Sequence, residues 1–536
     1  MEAIILPKEQ ILEVDLFIIG GGINGCGIAR DAAGRGLSVV LAEMNDLASA
    51  TSSASTKLFH GGLRYLEFFE VRLVREALKE REILLRAMPH ISWPMRFILP
   101  FHKDMRFDAD TPASKLLSFC LPWMKRRRPA WLIRIGLFLY DNLGGREILP
   151  GTRTLDLKSN PEGEPLLPKM KKAFEYSDCW IEDSRLVVLN ARDAQKKGAS
   201  IHVNTKVISA NFKNDMWHVV TKSANGLKVT TTAKMIVNAG GPWVEDIIRN
   251  TVRLNSTEGI RLVRGSHIVT KKLYKHEKSY FFQGEDGRII FTIPYEDDFT
   301  LIGTTDADHK APSVKPVCTP EECQYLIDFT NKYFKKSISE VDVIWTYSGV
   351  RPLYNDGEGS ATAATRDYVL KVNQSAGGPV LNIFGGKITT YRRLAEAALD
   401  LIDTQFDQKT SKWTAKASMP GGDFAVDGAS DLRKALSKSL PFLSNQTINR
   451  LIRQYGTEAR SIFAGCHTPE DLGHNYHHGI FQRELDWAIT NEWVSCADDF
   501  LWRRSKLGLR VTSKEKKEIE QYIVSAFDRK DRARTI

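Results

Sequence analysis

Three glycines near the N-terminus have the spacing of a dinucleotide-binding turn. They are Gly20, Gly22 and Gly25, in the pattern G-x-G-x-x-G, directly after an apolar run. In such a turn the first glycine allows the tight bend, the second lets the backbone approach a pyrophosphate, and the third lets a helix lie close to the strand. Glu43, about 20 residues further on, is placed to accept hydrogen bonds from a ribose hydroxyl. These residues predict an adenine-dinucleotide site.

The elements around these residues agree with that prediction. Residues 14–19 form an apolar run that predicts a buried strand, and residues 23–33 have helical character up to Gly34 and Gly36. Residues 37–42 then predict a second strand, which ends at the acidic residue. The helix N-terminus would meet the phosphate charge with free N–H groups and a favourable dipole.

Later segments could bring backbone and hydroxyl groups to the same ligand. Residues 48–56 carry only small and hydroxyl side chains, so they can pass close to a flat ring, although a plain surface loop is the alternative. Strands run into glycines again at 234–243 and at 384–391, and the second junction begins a helix that would favour negative charge. We therefore expect one site assembled from distant segments. Besides the first three glycines and Glu43, the residues expected to contact the cofactor are Thr51, Ser52, Ser53, Gly61, Gly62, Gly240, Gly385, Gly386, Lys387 and Thr389.

Composition and charge exclude several classes of protein. The chain has 536 residues and a formal net charge of +10, which suits an anionic substrate, an anionic membrane surface or nucleic acid without choosing among them. No apolar run reaches the roughly 18 residues that could span a bilayer. Seven scattered cysteines indicate a reducing compartment. The cysteine and histidines of residues 466–478 lack the spacing of a metal site, so no metal is expected.

Residues 103–147 are the segment most suited to a membrane surface. The basic run at 125–128 lies between the apolar segments 114–123 and 131–143, both of which contain tryptophan. Basic residues beside Trp, Phe and Leu are what an interfacial contact requires. A helical pair inside a domain, with the basic run in solvent, remains the alternative.

Taken in order, the motifs resemble a known family. The first glycine turn, residues 51–55 and residues 60–65 (His-Gly-Gly-Leu-Arg-Tyr) are similar to those of the FAD-dependent, aerobic and respiratory glycerol-3-phosphate dehydrogenases. These enzymes belong to the glycine oxidase and D-amino-acid oxidase superfamily. One departure is the connection at 103–125, which is longer than is usual in the family. The resemblance extends over nearly the whole chain through residues 174–180, 238–243, 259–267, 302–306, 347–352, 384–392 and 502–504.

The resemblance implies a reaction and assigns roles to residues. It implies oxidation of sn-glycerol 3-phosphate to dihydroxyacetone phosphate, with the hydride passing to FAD and the electrons to membrane quinone. No side chain accepts a hydride, so a cofactor is required, and the late glycine junctions fit a flavin better than a nicotinamide. His267 is expected to be the catalytic base, with Arg351 also catalytic. Arg64, Tyr65, Arg351 and Lys387 are expected to bind the phosphate.

Two other functions remain open at this point. An oxidase with the same substrate would return the electrons to oxygen, and the sequence hardly separates it from the dehydrogenase. A flavoprotein that binds nucleic acid is a remote alternative, because no recognisable binding module is present. The expected partners are therefore the substrate, quinone and an anionic membrane surface, with a homodimer left open. The expected location is the cytoplasm, peripheral on the inner face of the cell membrane.

The expected fold class is α/β with three domains. A Rossmann-like FAD-binding domain would be assembled from residues 1–95, 173–250 and 340–404. An antiparallel-sheet substrate or cap domain would take residues 96–172 and 251–339. Residues 405–536 would form a helical C-terminal accessory domain.

Overall fold

The computed structural model describes residues 12–102, 112, 115, 129–284, 288–355 and 367–535, of which 528–535 are described by backbone alone. The basic run at 125–128 and nearly all of the long 103–125 connection lie outside these residues. Within them the strands are β1 Leu12–Ile19, β2 Val39–Ala42, β3 Leu58–Phe59, β4 Ser92–Phe101, β5 Arg153–Asp156, β6 Lys172–Ile181, β7 Ser200–His202, β8 Thr205–Lys213, β9 Met216–Ser223, β10 Lys228–Asn238, β11 Ile260–Lys271, β12 Ser279–Gln283, β13 Ile289–Tyr295, β14 Phe299–Gly303, β15 Ala307–Asp308, β16 Val343–Tyr354, β17 Val369–Asn373 and β18 Val380–Phe384.

The helices of the same residues are α1 Ile23–Gly34, α2 Val71–Ala87, α3 Ala130–Leu143, α4 Asp183–Lys196, α5 Val244–Asp246, α6 Pro320–Asn331, α7 Tyr391–Gln405, α8 Ala429–Ser439, α9 Asn445–Tyr455, α10 Ala459–Ile462, α11 Gln482–Asn491 and α12 Ser513–Thr535. Short 3₁₀ turns precede two of the helices that matter below: Leu63–Phe68 before α2 and Ile388–Thr390 before α7. No helix in the described part of the chain is long and apolar enough to cross a membrane.

The first sheet is the dinucleotide-type half of the fold. Its strands run in the order β17-β18-β10-β1-β2-β7, and β1 pairs in parallel with both β10 and β2. Leu16, Phe17 and Ile18 of β1 are fully buried, as expected for a parallel strand covered on both faces. α1 packs against α4 and α7 on one of these faces. The predicted α/β architecture is confirmed.

The second sheet is mainly antiparallel and holds the strands β15-β11-β14-β13-β12-β4-β6-β3 in that order. β16 pairs with β11 over nearly its whole length, and β5 pairs with β6. The domain boundaries expected from the sequence therefore do not coincide with the division of the strands between the two sheets. β3, β16 and most of β6 were assigned to the FAD-binding segments but hydrogen-bond into the second sheet, because long-range strand pairing rather than local pattern decides which sheet a strand joins.

The C-terminal region is helical, as predicted, and packs around two hydrophobic clusters of its own. Buried ion pairs join it to the rest of the molecule. Arg504 contacts Asp46 at 2.7 Å beyond the end of β2, and Arg185 of α4 contacts Glu492 at 2.6 Å. Removing one side chain of such a pair would leave the other charge buried and uncompensated, and this would strongly destabilise the folded protein. The C-terminal helices are thus fixed to the dinucleotide half.

Candidate active site

A cavity of about 520 Å³ lies where residues of the two sheets meet. Ile19 and Ala42, at the carboxyl ends of β1 and β2, line one part, and Val263 and Phe281 of the second sheet line another. This position, beyond the ends of parallel strands, is where ligands bind in open α/β sheets. The predicted site residues that line the cavity are Gly20, Gly22, Glu43, Thr51, Ser52, Gly62, Arg64, Tyr65, Gly240, His267, Arg351, Gly385, Gly386, Lys387 and Thr389.

In the glycine turn, backbone atoms lie too close together for a side chain to fit between them. Gly20 has φ +111°, and a Cβ there would lie 2.5 Å from the carbonyl oxygen of Ala239 in the neighbouring connection. A Cβ on Gly25 would lie 2.0 Å from the carbonyl oxygen of Gly20. α1 can therefore start directly on the end of β1 only because these positions carry no side chain. The geometry is the one that the G-x-G-x-x-G spacing predicts.

Glu43 directly follows β2, hydrogen-bonds to the glycine turn and lines the cavity. Its Oε2 accepts a hydrogen bond from the backbone N–H of Gly21 at 2.7 Å, and Oε1 accepts one from Asn45 at 2.9 Å. Burial raises the pKa of Glu43 above its ordinary value, although these backbone hydrogen bonds oppose the shift. A ribose hydroxyl would donate to a carboxylate that is already oriented by the backbone.

Three predicted contact residues lie outside the cavity wall. Gly25 packs on Gly20 as described. The hydroxyl of Ser53 donates to the carbonyl of Ala50 at 3.2 Å, and the N–H of Gly61 donates to the buried hydroxyl of Tyr140 at 2.7 Å. The positions of Ser53 and Gly61 support a role in shaping the wall rather than in touching a ligand.

The small-residue segment folds into a 3₁₀ turn, Thr51–Ser53, that joins two distant elements. The hydroxyl of Ser52 accepts a hydrogen bond from the N–H of Ile23 at 3.0 Å, at the start of α1. The hydroxyl of Thr51 donates to the carbonyl of Val350 in β16 at 2.6 Å. The turn thereby connects the dinucleotide end of the cavity to the second sheet.

The late glycine motif contributes the opposite wall. Gly385 and Gly386 have φ values of +69° and +99°, and the Asn24 side chain of α1 donates to the carbonyl of Gly385 at 3.2 Å. The Lys387 ammonium lies 4.1 Å from the centre of the Tyr65 ring. The helix expected to begin near Lys387 starts instead at Tyr391, after the 3₁₀ turn Ile388–Thr390, so Lys387 precedes the turn in extended backbone.

His267 is buried in β11 and is held on both sides. Its ring stacks on Tyr347 of β16 at 4.7 Å with an interplanar angle of 11°, and its Nε2 lies 3.0 Å from the hydroxyl of Thr56. Among the described residues its Nδ1 has no hydrogen-bond partner. Burial, followed by the charges of Arg351 and Lys57, lowers the pKa of His267 well below its ordinary value. The imidazole is therefore neutral at physiological pH, as a proton acceptor must be.

Arg351 has a partner that the sequence reasoning did not assign. Its guanidinium forms an ion pair with Asp306, and its Nη2 lies 3.3 Å from the hydroxyl of Thr304. Both charged side chains are about one-third exposed to the cavity. Asp306 lies in the 302–306 segment that carried the family resemblance, so that segment was the available signal. Arg351 is thus oriented before any ligand arrives.

Lys57 and Asp183 were also missed. They form an ion pair at 2.8 Å in which both side chains are fully buried behind the turn Thr51–Ser53. Burial raises the pKa of Asp183, but the Lys57 and Lys506 ammonium groups more than offset it, and the pKa stays below its ordinary value. A lysine at the end of a hydroxyl-rich segment has no distinctive local pattern, so no sequence signal marked the pair.

The residues present fit a flavin dinucleotide. Gly20, Gly22 and Gly240 expose backbone along one part of the wall, where a phosphate chain needs close approach. Two cavity-lining residues keep a buried polar atom without a partner in the described structure, Oδ1 of Asn24 and Nδ1 of His267. Buried polar atoms are normally satisfied, so both indicate groups that a ligand completes.

Comparison with known proteins agrees with this geometry. The family model described as FAD dependent oxidoreductase matches residues 15–392, and the C-terminal domain of alpha-glycerophosphate oxidase matches residues 412–528. The chain belongs to the FAD-dependent oxidoreductase family. The predicted FAD dependence and the helical C-terminal domain are thereby confirmed. The first match ends at residue 392 and the second begins at residue 412.

Members of this oxidoreductase family with similar sequences match almost end to end. D-erythritol 1-phosphate dehydrogenase of Brucella abortus is 46% identical over 96% of this chain and 98% of its own length. Glycerol-3-phosphate dehydrogenase of Pseudomonas tolaasii is 45% identical over 97% and 96%. The solved structure of glycerol-3-phosphate dehydrogenase from Bacillus halodurans, complexed with FAD, has the same fold with a TM-score of 0.70 at 24% identity, covering 96% of this chain and 94% of that one.

Proposed function

We propose that this oxidoreductase converts sn-glycerol 3-phosphate to dihydroxyacetone phosphate. One observation carries the proposal: a neutral, buried imidazole, that of His267, shares the cavity with Arg64, Arg351 and Lys387. Removing two hydrogens from a secondary alcohol beside a phosphate needs a proton acceptor and an anion clamp. The names of the two similar relatives, both polyol phosphate dehydrogenases, support this substrate class.

In this proposal His267 takes the proton of the substrate's C2 hydroxyl. Its Nδ1 is buried and unpartnered in the described structure, while Nε2 is engaged by Thr56, so the proposal assigns the proton to Nδ1. FAD, when bound, supplies the hydride acceptor that no side chain provides. A phosphate dianion beside Arg351 would offset one of the charges that lower the pKa of His267. Substrate binding would thus make the base stronger.

Lys387, Arg64 and Arg351 would bind the phosphate. Guanidinium groups present a planar fork to a phosphate, and an ammonium adds a compact charge. Lys387 is oriented by the Tyr65 ring and Arg351 by Asp306 and Thr304. Because Lys387 and Arg351 already make these contacts before substrate arrives, they would lose less side-chain freedom on binding.

D-erythritol 1-phosphate is a second candidate substrate. The Brucella relative named for this substrate is 46% identical over 96% of this chain. The Pseudomonas glycerol-3-phosphate relative is 45% identical over 97% of this chain, so sequence identity does not separate the two substrates. The two substrates share the phosphate and the neighbouring secondary alcohol and differ by one hydroxylated carbon. The chemistry assigned to His267 and the clamp is the same for both.

We also propose that the electrons pass to quinone at the cytoplasmic surface of a membrane. On α3 the large apolar side chains Trp131, Ile135, Phe138 and Leu139 are 47–61% exposed at helical spacing, while Leu137 and Tyr140 are buried. Apolar side chains on one face of a surface helix suit an interfacial contact. α3 packs against the turn Leu63–Phe68, which carries Arg64 and Tyr65 into the cavity. The proposed membrane face is therefore one element away from the site.

The decisive experiment is anaerobic mixing of the FAD-bound protein with each candidate substrate. We expect glycerol 3-phosphate or D-erythritol 1-phosphate to bleach the flavin absorbance and free glycerol to leave it unchanged, and the ratio of rates identifies the preferred polyol phosphate. The reduced protein is then mixed with a soluble quinone or with oxygen. Faster reoxidation by oxygen would favour the oxidase, and no bleaching by either phosphate would reject the proposal.

The membrane contact is tested by sedimentation with anionic phosphatidylglycerol vesicles. Replacing Trp131 and Phe138 together by serine is expected to lower the bound fraction several-fold while flavin bleaching is retained. Leu227→Ser is the matched control, because Leu227 is 62% exposed in the connection between β9 and β10. Equal vesicle binding by all three proteins would exclude this face of α3.

A further inference from the structure

Lys57 is a fully buried lysine beside the active cavity to which the proposed reaction gives no role. Its ammonium donates to Oδ1 of Asp183 at 2.8 Å and to the carbonyl of Ser53 at 3.1 Å. Oδ2 of Asp183 accepts from the hydroxyl of Ser55 at 2.7 Å. A buried ion pair is weak evidence of stabilisation, since apolar replacements often serve as well. Its position relative to His267 indicates another use.

Two of the groups that hold the His267 ring depend on Lys57. The ammonium lies 5.2 Å from the centre of the Tyr347 ring, which stacks on the imidazole, and the Tyr347 hydroxyl donates to the carbonyl of Ser55 at 2.9 Å. Thr56, the adjacent residue, places its hydroxyl 3.0 Å from Nε2. The ion pair with Asp183 therefore fixes the backbone that carries both contacts.

The backbone at Lys57 is itself constrained. Its φ of +61° lies in the left-handed region, which a residue with a side chain adopts at a cost of order 1–3 kcal/mol. Its N–H donates to the hydroxyl of Ser55 at 2.9 Å, which belongs to the same network. The surrounding hydrogen bonds hold residues 55–57 in one conformation, and that conformation aims Thr56 at the imidazole.

We propose that Lys57 is a positioning residue for His267: with Asp183 it fixes Thr56 and Tyr347 against the imidazole. The inference rests on the proposed function, in which His267 is the base. The side chain of Lys57 does not line the cavity, so it acts through its neighbours and its charge.

The charges around His267 determine the sign of the expected effect. Residues 51–57 contribute Lys57, β16 contributes Arg351 and the neutral Tyr347, and β14 contributes only Gly303 at the paired position. Asp183 and Asp306 act through their pairing with Lys57 and Arg351. Both cations lower the pKa of His267, so removing Lys57 raises it. A raised pKa means that the base becomes protonated, and the reaction slows, at a higher pH than before.

The test measures anaerobic flavin reduction by glycerol 3-phosphate between pH 5 and 9. Lys57→Met combined with Asp183→Asn removes both charges of the buried pair and preserves side-chain size. We expect the acid limb of the rate, which is the fall in rate at low pH, to move upward by less than about 1 pH unit, because the negative charge of Asp183 is lost together with the nearby positive charge of Lys57. Binding of dihydroxyacetone phosphate, followed by flavin absorbance without turnover, should report the same shift. An unmoved limb, with a rate lowered equally at every pH, would overturn the proposal.

Three further variants complete the test. Lys234→Met with Asp15→Asn is the matched control, since that pair is also 2.8 Å apart but lies at the surface, and it should leave the limb unmoved. Lys57→Arg keeps the charge and changes the shape, so it decides the case if the double variant loses flavin. We expect an unmoved limb and a rate lowered by up to about 100-fold, the cost of misplacing a catalytic contact by about 1 Å, and a wild-type rate would overturn the proposal.

His267→Asn reports on the proposed function alone. If it reduces the flavin at the wild-type rate, the base assignment fails and the role of Lys57 fails with it. If it is slow while the double variant at Lys57 and Asp183 leaves the limb unmoved, only the role of Lys57 is rejected.

Discussion

The two ends of the cavity are built by different means. The dinucleotide end uses backbone, with the glycines of β1–α1 and the Glu43 carboxylate all within 24 residues of sequence, from Gly20 to Glu43. The reaction end uses side chains from β11, β16 and the late glycine motif, so His267, Arg351 and Lys387 meet only in the folded chain. In the proposed function the first end would bind what all adenine dinucleotides share, and the second would select the substrate and the reaction.

The forces at the two ends differ as well. At the dinucleotide end the fit is steric, since added Cβ atoms would collide with backbone oxygens. At the reaction end the fit is electrostatic, because burial and the nearby cations Arg351 and Lys57 lower the pKa of His267 and keep its imidazole neutral. Substitutions at the first end should therefore change cofactor affinity, and substitutions at the second should change rate or substrate affinity with the cofactor in place.

The largest effect is expected at the reaction end. His267→Asn should slow substrate-driven flavin reduction by roughly 100-fold or more, the usual scale of general base catalysis, because the side chain keeps a similar size but cannot accept the proton. Stopped-flow absorbance under anaerobic conditions measures the rate, and the bound flavin should be unchanged. His218→Asn, on β9 of the first sheet, is the control. A rate within a few-fold of wild type would show that His267 is not the base, and the main chemical difference proposed between the two ends would be lost.

The next effect belongs to the dinucleotide end. Gly25→Ala puts a Cβ 2.0 Å from the Gly20 carbonyl oxygen, so α1 must move away from β1. Overpacking costs about 1–3 kcal/mol, which predicts FAD affinity lower by roughly 5- to 150-fold. Equilibrium dialysis followed by flavin absorbance measures it. Gly136→Ala on α3, where a Cβ meets nothing within 4 Å, should bind FAD normally. Equal affinity in both variants would contradict the steric account.

Substrate affinity should respond at the reaction end alone. Lys387→Met removes one cation of the clamp and should weaken binding of glycerol 3-phosphate by about 1.5–3 kcal/mol, the scale of a charge-assisted hydrogen bond. The loss is measured by titrating the flavin spectrum with dihydroxyacetone phosphate, the product, which carries the same phosphate and does not reduce the flavin. Lys371→Met on β17 is the control, at a half-exposed surface lysine. If glycerol 3-phosphate and glycerol are discriminated as well as before, Lys387 is not part of the clamp.

The smallest effect concerns the partner of Arg351. Asp306→Asn removes a carboxylate that competes with phosphate for the guanidinium, so inorganic phosphate should bind more tightly. Because the pair is about one-third exposed, the gain is expected to be only about 0.2–1 kcal/mol, at most about fivefold. Inhibition of flavin reduction by inorganic phosphate gives the affinity. Weaker inhibition would show instead that Asp306 serves mainly to orient Arg351.

The same contrast explains what the sequence predicted. The glycine turn and Glu43 could be located because their chemistry is local, and Gly20, Gly22 and Glu43 line the cavity. The partners of the reaction end could not, because they depend on strand register: β11 and β16 pair His267 with Tyr347 and Val263 with Arg351, which no local pattern specifies. Asp306 lies in a segment of the family resemblance, but its ion pair with Arg351 appears only in the folded chain, as does the pair of Lys57 with Asp183. Ser52 and Ser53 show the same limit, since one turn of backbone puts the first hydroxyl on the wall and not the second.

The bond between Asn24 and Gly385 joins residues 361 positions apart in one wall of the site. During synthesis the first glycine turn emerges early, but its opposite wall exists only after more than 380 residues have been added. The site therefore cannot capture its flavin co-translationally from the N-terminal part alone. A break in the polypeptide between α1 and β18 would put the two walls on separate fragments. A break within residues 406–428, beyond α7, would leave both walls on the same fragment.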